Sequence, residues 1–195
     1  LSARIQKTME LTKQNYHSIK DLTTFPHDQL VKLFLSIPKA TTLGLLRKFN
    51  KSFVEQLFNA APHHLAKQWR MSLMYEKDSV GELMQPAPLV LNENLTIKEA
   101  IDLVREVPKQ ILFTYGMVVN DDNELTGVLV FRDILYHDDE ELIKDISFKS
   151  PVSFYFNENV LEVFVKTAGK QIPEYPVLND KKQLLGVLRG SHVAD

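Results

Sequence analysis

The stretch GVLVFRD, Gly127 to Asp133, returns fifty-nine residues later as GVLRGSH, Gly186 to His192. The repetition extends upstream, where MVVNDDNELTGVLVFR is answered by YPVLNDKKQLLGVLRG, with Asn120-Asp121 on Asn179-Asp180. In each copy two apolar runs flank a polar Asn-Asp turn, which predicts a β-hairpin. Further upstream, PLVLNEN and PVSFYFNEN superpose with an offset of sixty-five, placing Pro86 on Pro151 and Asn92, Glu93 and Asn94 on Asn157, Glu158 and Asn159. A short strand, Leu89 to Leu91, is expected in the first copy. After it, Thr96 and Glu99 have capping-box spacing for a helix carrying Ile97, Ala100, Ile101 and Val104. The matching helix is expected over Val160 to Thr167, and the drop from sixty-five to fifty-nine puts six lost residues in or around it. A further helix should start near Asp133 with the aspartate as its cap. Each copy thus reads β-α-β-β-α. One such unit leaves an apolar sheet face open, and pairing two units buries it.

The first eighty residues have a different texture. An opening amphipathic stretch is followed by HDQLVKLFLSI, GLLRKFN, KSFVEQLFNAA and His63 to Tyr75, all with apolar residues three and four apart. Phe25-Pro26, Ile37-Pro38 and Ala61-Pro62 punctuate them, because proline in a first turn gives up only a hydrogen bond that was unpaired anyway. The expectation is a stack of short helices with Leu65, Trp69 and Leu73 on one stripe. Trp69 and the phenylalanines at 25, 34, 49, 53 and 58 read as packing. Adjacent His63 and His64 point about 100° apart on a helix, a poor arrangement for a shared metal. A short turn of helix is expected in SVGELM.

Composition closes off several function classes. The chain has 195 residues, enough for one or two domains, and is 44% hydrophobic, as ordinary globular proteins are. No window approaches eighteen uninterrupted apolar residues, so no membrane span is expected within it. The start, LSAR, lacks both a methionine and an apolar signal core, and the sequence reads as a piece of something longer. Absence of cysteine removes disulfides and thiolate chemistry. Net charge is −2, but residues 1–80 hold twelve Lys/Arg against six Asp/Glu, and residues 81–195 eleven against nineteen. Such asymmetry suits modules that attract each other, or an acidic module that meets cations. No P-loop, HExxH or Ser/His/Asp order is present, so no enzyme is expected. Nucleic-acid binding, which needs stacking aromatics on a basic face, is not expected either.

Residues 79–195 resemble a tandem cystathionine-β-synthase (CBS) pair. The resemblance is carried by the LMQP lead-in, the Asn-Glu-Asn turn before each helix, the IPEYPVLND run and the G-V-L-x-x-x-[D/H] strand exit. The helical segment with its F-P and I-P breaks, running through DSVGELM, resembles the cytosolic region of MgtE-type magnesium transporters. The expected fold is therefore α+β: a small helical N-terminal domain over 1–78, then a CBS pair over 79–195. Within the pair the first unit covers about 84–145 and the second about 146–195, the latter truncated at its C-terminal helix.

The resemblance implies a regulatory region and no catalysis. It implies a homodimer through the CBS pair, on the cytoplasmic side of the cell membrane, with a transmembrane pore domain of the same polypeptide beyond residue 195. It implies two ligands, Mg2+ and an adenine nucleotide such as ATP or AMP. CBS nucleotide sites follow G-x-x-[S/T]-x-x-D, and here Gly127 and Asp133 fit, with Val130 in place of the hydroxyl; in copy two Gly186 is followed by Arg189 and His192. The nucleotide candidates are Gly127, Asp133 and Arg189, the last as a five-donor cation facing phosphate or a carboxylate. The metal candidates are Asp121, Asp122 and Glu124 on the first hairpin turn, Asp138 and Asp139 in the run completed by Glu140 and Glu141, and Asp180 on the second hairpin. Oxygen-rich turns of this kind hold Mg2+ through water with one or two direct carboxylates. In the helical part only Asp21, Asp28, Glu55, Glu76 and Asp78 are acidic candidates, so direct lysine-to-carboxylate docking rivals a metal bridge. Besides the magnesium-sensing reading, a soluble CBS protein binding an adenine nucleotide and a ligand-free dimerisation module stay open.

Overall fold

The computed structural model describes residues 22–109 and 111–190. The expected opening helix, Asp21 and His192 lie outside the described residues. The chain divides between Lys77 and Asp78 into two compact units.

The first unit stacks α1 (His27–Ser36), α2 (Lys39–Leu46), α3 (Lys51–Ala60) and α4 (His63–Leu73). Pro26, Pro38 and Pro62 each occupy the N-cap, immediately before the first turn. With φ near −55° and an extended ψ, each proline turns the chain into the helix, and its carbonyl accepts the first helical hydrogen bonds. The α2 helix therefore begins at Lys39 rather than in GLLRKFN. It ends at Leu46, before Asn50, whose side chain accepts from Phe53 N–H to cap α3. Trp69, 4% exposed, meets Phe34 and Phe58 with ring centroids 6.1 Å away in each case, inside a core that includes Leu30, Leu43, Leu46 and Leu57. Leu73 is only half-buried.

The second unit begins with the single-turn α5 (Val80–Leu83) and contains the repeat. Copy one comprises β1 (Val90–Asn92), α6 (Ile97–Glu106), β2 (Tyr115–Val119) and β3 (Leu125–Val130). A short α7 (Ile143–Ile146) leads into copy two: β4 (Phe154–Tyr155), α8 (Val160–Thr167), β5 (Glu174–Leu178) and β6 (Leu184–Arg189). In each three-stranded sheet the first strand runs parallel to the second and the hairpin is antiparallel. The capping box of Thr96 and Glu99 is present at α6.

The strand register corrects the repeat alignment. Leu91 pairs with Val118, and its counterpart Phe154 with Val177. The helix caps are Thr96 and Asn159. The structural offset before the helix is therefore sixty-three, and the two Asn-Glu-Asn triplets are not equivalent: Asn92 closes a strand, whereas Asn159 is itself the cap, accepting from Leu161 and Glu162 N–H. Copy two lost two residues from a ten-residue helix and two more from the loop that follows it.

The copies are interlaced. Val80 N–H donates to Glu158 O and Gly81 N–H to Phe156 O, and Gln85 exchanges two 2.8 Å hydrogen bonds with Val187, so the lead-in of copy one lies on copy two. Reciprocally, Ile143 N–H donates to Leu95 O and Lys144 N–H to Glu93 O, and Phe148 exchanges two 2.9 Å bonds with Val128. This crossing explains the glycines of the repeated stretch. A Cβ on Gly186 would stand 2.4 Å from Gln85 O, and one on Gly127 would stand 2.9 Å from both Phe148 O and Ser147 Oγ.

Between the sheets, Met117, Val119 and Val128 of copy one pack with Leu178, Leu184 and Val187 of copy two in a shared core. The hairpin turns also bond to each other. Leu125 N–H donates to Lys182 O and Leu184 N–H to Asn123 O, with Asn123 and Lys182 both in the left-handed region at φ near +60°. The expected helix at Asp133 is instead a 3-10 turn, Phe131–Tyr136, that starts at Val130 without a side-chain cap. Phe131 packing edge-on against Phe113 and burial of Ile134 set the turn three residues early, so Asp133 does not cap it.

Candidate functional site

Strand alternation places the ends of both hairpins on the inter-repeat face. Met117 and Val128 are register partners in copy one, and Pro176 and Val187 in copy two. One step further along, on the same faces, stand Tyr115 opposite Val130 and Glu174 opposite Arg189. The second copy thus carries a charge pair where the first carries an aromatic and an aliphatic residue. Glu174 is 6% exposed, and its Oε2 and the Arg189 Nε are buried without a hydrogen-bond partner. Burial pushes the Glu174 carboxyl above the usual carboxylate range, and the Arg189 guanidinium draws it partly back. Sequence reasoning passed over Glu174. The signal was an acid inside the apolar strand IPEYPVL, opposite Arg189 in the hairpin register.

Of the nucleotide candidates, Asp133 lies on the 3-10 turn just past β3, half exposed, with its carboxylate 3.6 Å from Arg132 Nε. Gly127 has a packing reason of its own in the close approach of Phe148. Arg189 ends β6, and Gly190 follows it with its N–H on Pro173 O. Beside Gly190 a hollow of about 530 Å³ is lined by Phe164, Thr167, Ile172, Pro173 and Tyr175.

The acidic candidates fall into separate places. Each hairpin turn is organised by its asparagine: Asn120 Oδ1 accepts from Asp122 and Glu124 N–H, and Asn179 Oδ1 from Lys181 and Gln183 N–H. Asp121 accepts from the Asn92 amide and Glu124 from the Asn120 amide, both at 2.8 Å. Asp122, Asp138, Asp139 and Asp180 are exposed. Gln183 reaches the Asp122 carbonyl at 2.9 Å, which brings the two turns together. Glu141 accepts from Asp138 N–H, which, with His137 at 3.1 Å, holds its carboxyl below the usual range. Glu55 in the helical unit is engaged by both terminal nitrogens of Arg70 at 2.7 Å. Among the described residues no three carboxylate or imidazole groups converge on one point, so no ready-made magnesium cage exists there. No described helix is long and apolar enough to cross a membrane.

Two interlaced β-α-β-β units closed over a shared core define a tandem CBS pair, and residues 80–140 match the CBS domain family. Beyond that match, the chain is similar in sequence to MgtE-type magnesium transporters and in fold to the cytosolic domain of one. It is 24% identical over 157 residues to magnesium transporter MgtE of Thermus thermophilus, covering 80% of this chain and 35% of that protein. To magnesium transporter MgtE of Bacillus subtilis it is 24% identical over 133 residues, covering 67% of this chain and 29% of the other. It spans about a third of these relatives' length. Among solved structures, the cytosolic domain of the Mg2+ channel MgtE in complex with ATP matches with a TM-score of 0.74 at 22% identity, covering 92% of this chain and 76% of that one.

Proposed function

We propose that this chain is the cytosolic, Mg2+-sensing regulatory region of a magnesium transporter or channel, with no catalytic role. The observation that carries the reading is the extent of the fold match. It covers 92% of the chain, and so takes in the helical unit as well as the CBS pair. We assign the helical domain to 1–78 and the CBS pair to 79–195, its units meeting near residue 145. Mg2+ is then held through water by one or two carboxylates drawn from Asp121, Asp122, Glu124, Asp138, Asp139 and Asp180, and acts by favouring one of two states through differential affinity. A homodimer is supported by the face of α8, where Leu161 is 70% and Val165 69% exposed. The region would lie on the cytoplasmic side of the cell membrane, with the transmembrane pore belonging to the same polypeptide.

A second reading, adenine-nucleotide binding by a CBS regulatory protein, is favoured by the half-exposed Asp133 beside Arg132 and by the ATP held in the solved relative. Calorimetry on this chain separates the two, with MgCl2 titrated without nucleotide and ATP or AMP titrated without magnesium. A millimolar magnesium response that shrinks the radius of gyration in X-ray scattering supports the sensor. Nucleotide binding that weakens about tenfold or more in Asp133→Ala supports the second reading. Silence in both titrations overturns both.

A further inference from the structure

We propose that the groove between α3 and α4 of the helical unit is a docking site for a partner protein, and that its occupant is an amphipathic helix with an acidic flank. The groove measures about 440 Å³. Phe58 and Ala61 line it from the end of α3, and Ala66, Met71 and Met74 from α4 and its C-cap. Along α4 the residues Leu65, Trp69 and Ser72 turn inward, so Lys67, Met71 and Met74, spaced four and three apart, form the outward ridge. Met74 is 84% and Met71 42% exposed, beside a core that Trp69 and Phe58 already fill. Methionine is unbranched and polarizable, and moulds itself to side chains laid against it. A furrow between two packed helices accepts a third by ridges into grooves, with anchors three and four residues apart.

The rim sets the charge of the occupant. His63, Lys67 and Arg70 border the groove, and among the described residues no carboxylate does. Arg70 is already committed. Its two terminal nitrogens engage Glu55 at 2.7 Å, and its guanidinium lies 4.8 Å over the Phe58 ring, which makes a fixed wall. Exposed Lys67 stands one turn from Met71 on the same ridge. A carboxylate carried one turn from the occupant's apolar stripe would therefore meet it. The surrounding sequence has the same sign, since residues 1–80 hold twelve Lys/Arg against six Asp/Glu. A helix with basic flanks would find the same apolar floor but repulsion at its edge. The site is independent of the ligand that the repeat pair takes.

The probe is a synthetic helical peptide of about sixteen residues, with leucine at i, i+3, i+4 and i+7 and glutamate on the flanks, titrated into this chain. A peptide with the same leucines and lysine flanks, a scrambled acidic peptide and phosphatidylglycerol vesicles are titrated in parallel. Methionine-methyl NMR reads the site, with Met84 and Met117, both buried in the second unit, as internal references. The acidic peptide should shift the Met71 and Met74 methyls alone, and the lysine-flanked one should bind about tenfold more weakly. Met71→Ser with Met74→Ser should weaken the acidic peptide about tenfold or more, through lost apolar burial. Lys67→Glu should reverse the preference between the two peptides. Equal binding of acidic, basic and scrambled peptides overturns the proposal, as does the absence of any shift at about 1 mM peptide. Shifts caused by vesicles and not by the acidic peptide, or by self-association of the chain alone, also overturn it. Should the methionine variant melt early, the reversal at exposed Lys67 decides by itself.

Discussion

Copy one and copy two share a topology and a register but solve the same positions with different chemistry. At the far end of the inter-repeat face copy one is apolar, with Tyr115 opposite Val130, and copy two is ionic, with Glu174 opposite Arg189. Copy one closes with Phe131 on Phe113 and Ile134 in its core, whereas Gly190 stands at the position of Phe131 in copy two. The copies agree where the backbone needs particular residues and differ at the end of the inter-repeat face. Among the residues identical at equivalent positions are the hairpin asparagine and the glycine under the crossing segment, whose replacement would break a turn or block a strand.

The comparison can be broken most forcefully in the core. Leu129 and Leu188 are equivalent and fully buried, and truncating either to alanine should cost about 3 kcal/mol in urea unfolding. Because the copies are interlaced, the two variants should show one shared transition; separate transitions would mean that the repeats unfold independently. Next comes the glycine pair. Gly186→Ala forces a Cβ to within 2.4 Å of a backbone carbonyl and should cost about 2 kcal/mol. Gly127→Ala, whose nearest contacts at 2.9 Å include a rotatable serine hydroxyl, should cost less; the reverse order would show that the closer approach at Gly186 relaxes more readily.

The caps differ in kind and should differ little in size. Thr96→Ala and Asn159→Ala are each expected to lower stability by about 1 kcal/mol. Adding Glu99→Ala should compound the loss in copy one, where the reciprocal box exists, whereas adding the equivalent Glu162→Ala to Asn159→Ala should change little. The smallest effect is the pH dependence of the ionic end. Glu174 has its folded-state pKa raised, so its contribution is fully present below the usual carboxylate pKa and is lost as pH rises through the folded value. Glu174→Gln should therefore gain on the unchanged chain as pH goes from about 4 to 7, as read by thermal melts, and a flat difference would mean that the carboxyl titrates normally.

Much of this architecture was legible because it rests on local chemistry. Periodicity placed α1, α3, α4, α6 and α8, Thr96 and Glu99 announced their capping box, and the Asn-Asp turns announced the hairpins. The shifts have physical causes. Proline as N-cap moved α2 upstream, and a recurring Asn-Glu-Asn triplet hid an offset that only strand pairing reveals. Aromatic packing of Phe131 outweighed the capping preference of Asp133. Of the candidate site, the acids could be read off as residues but not as a constellation, because the alternation that sets Glu174 against Arg189 depends on register. The crossing of the lead-in segments was invisible, since long-range hydrogen bonds between peptide groups leave no mark on side-chain composition except the glycines that make room for them.

That crossing has a consequence for any attempt to study half of the pair. A fragment holding only the first repeat would carry a segment shaped for a sheet it lacks, while its own sheet edge waited for a segment it had lost. Two such fragments would cure each other by trading arms, and a lone half should therefore be found as a swapped dimer. The same exchange offers a route by which a self-pairing ancestor became one continuous chain.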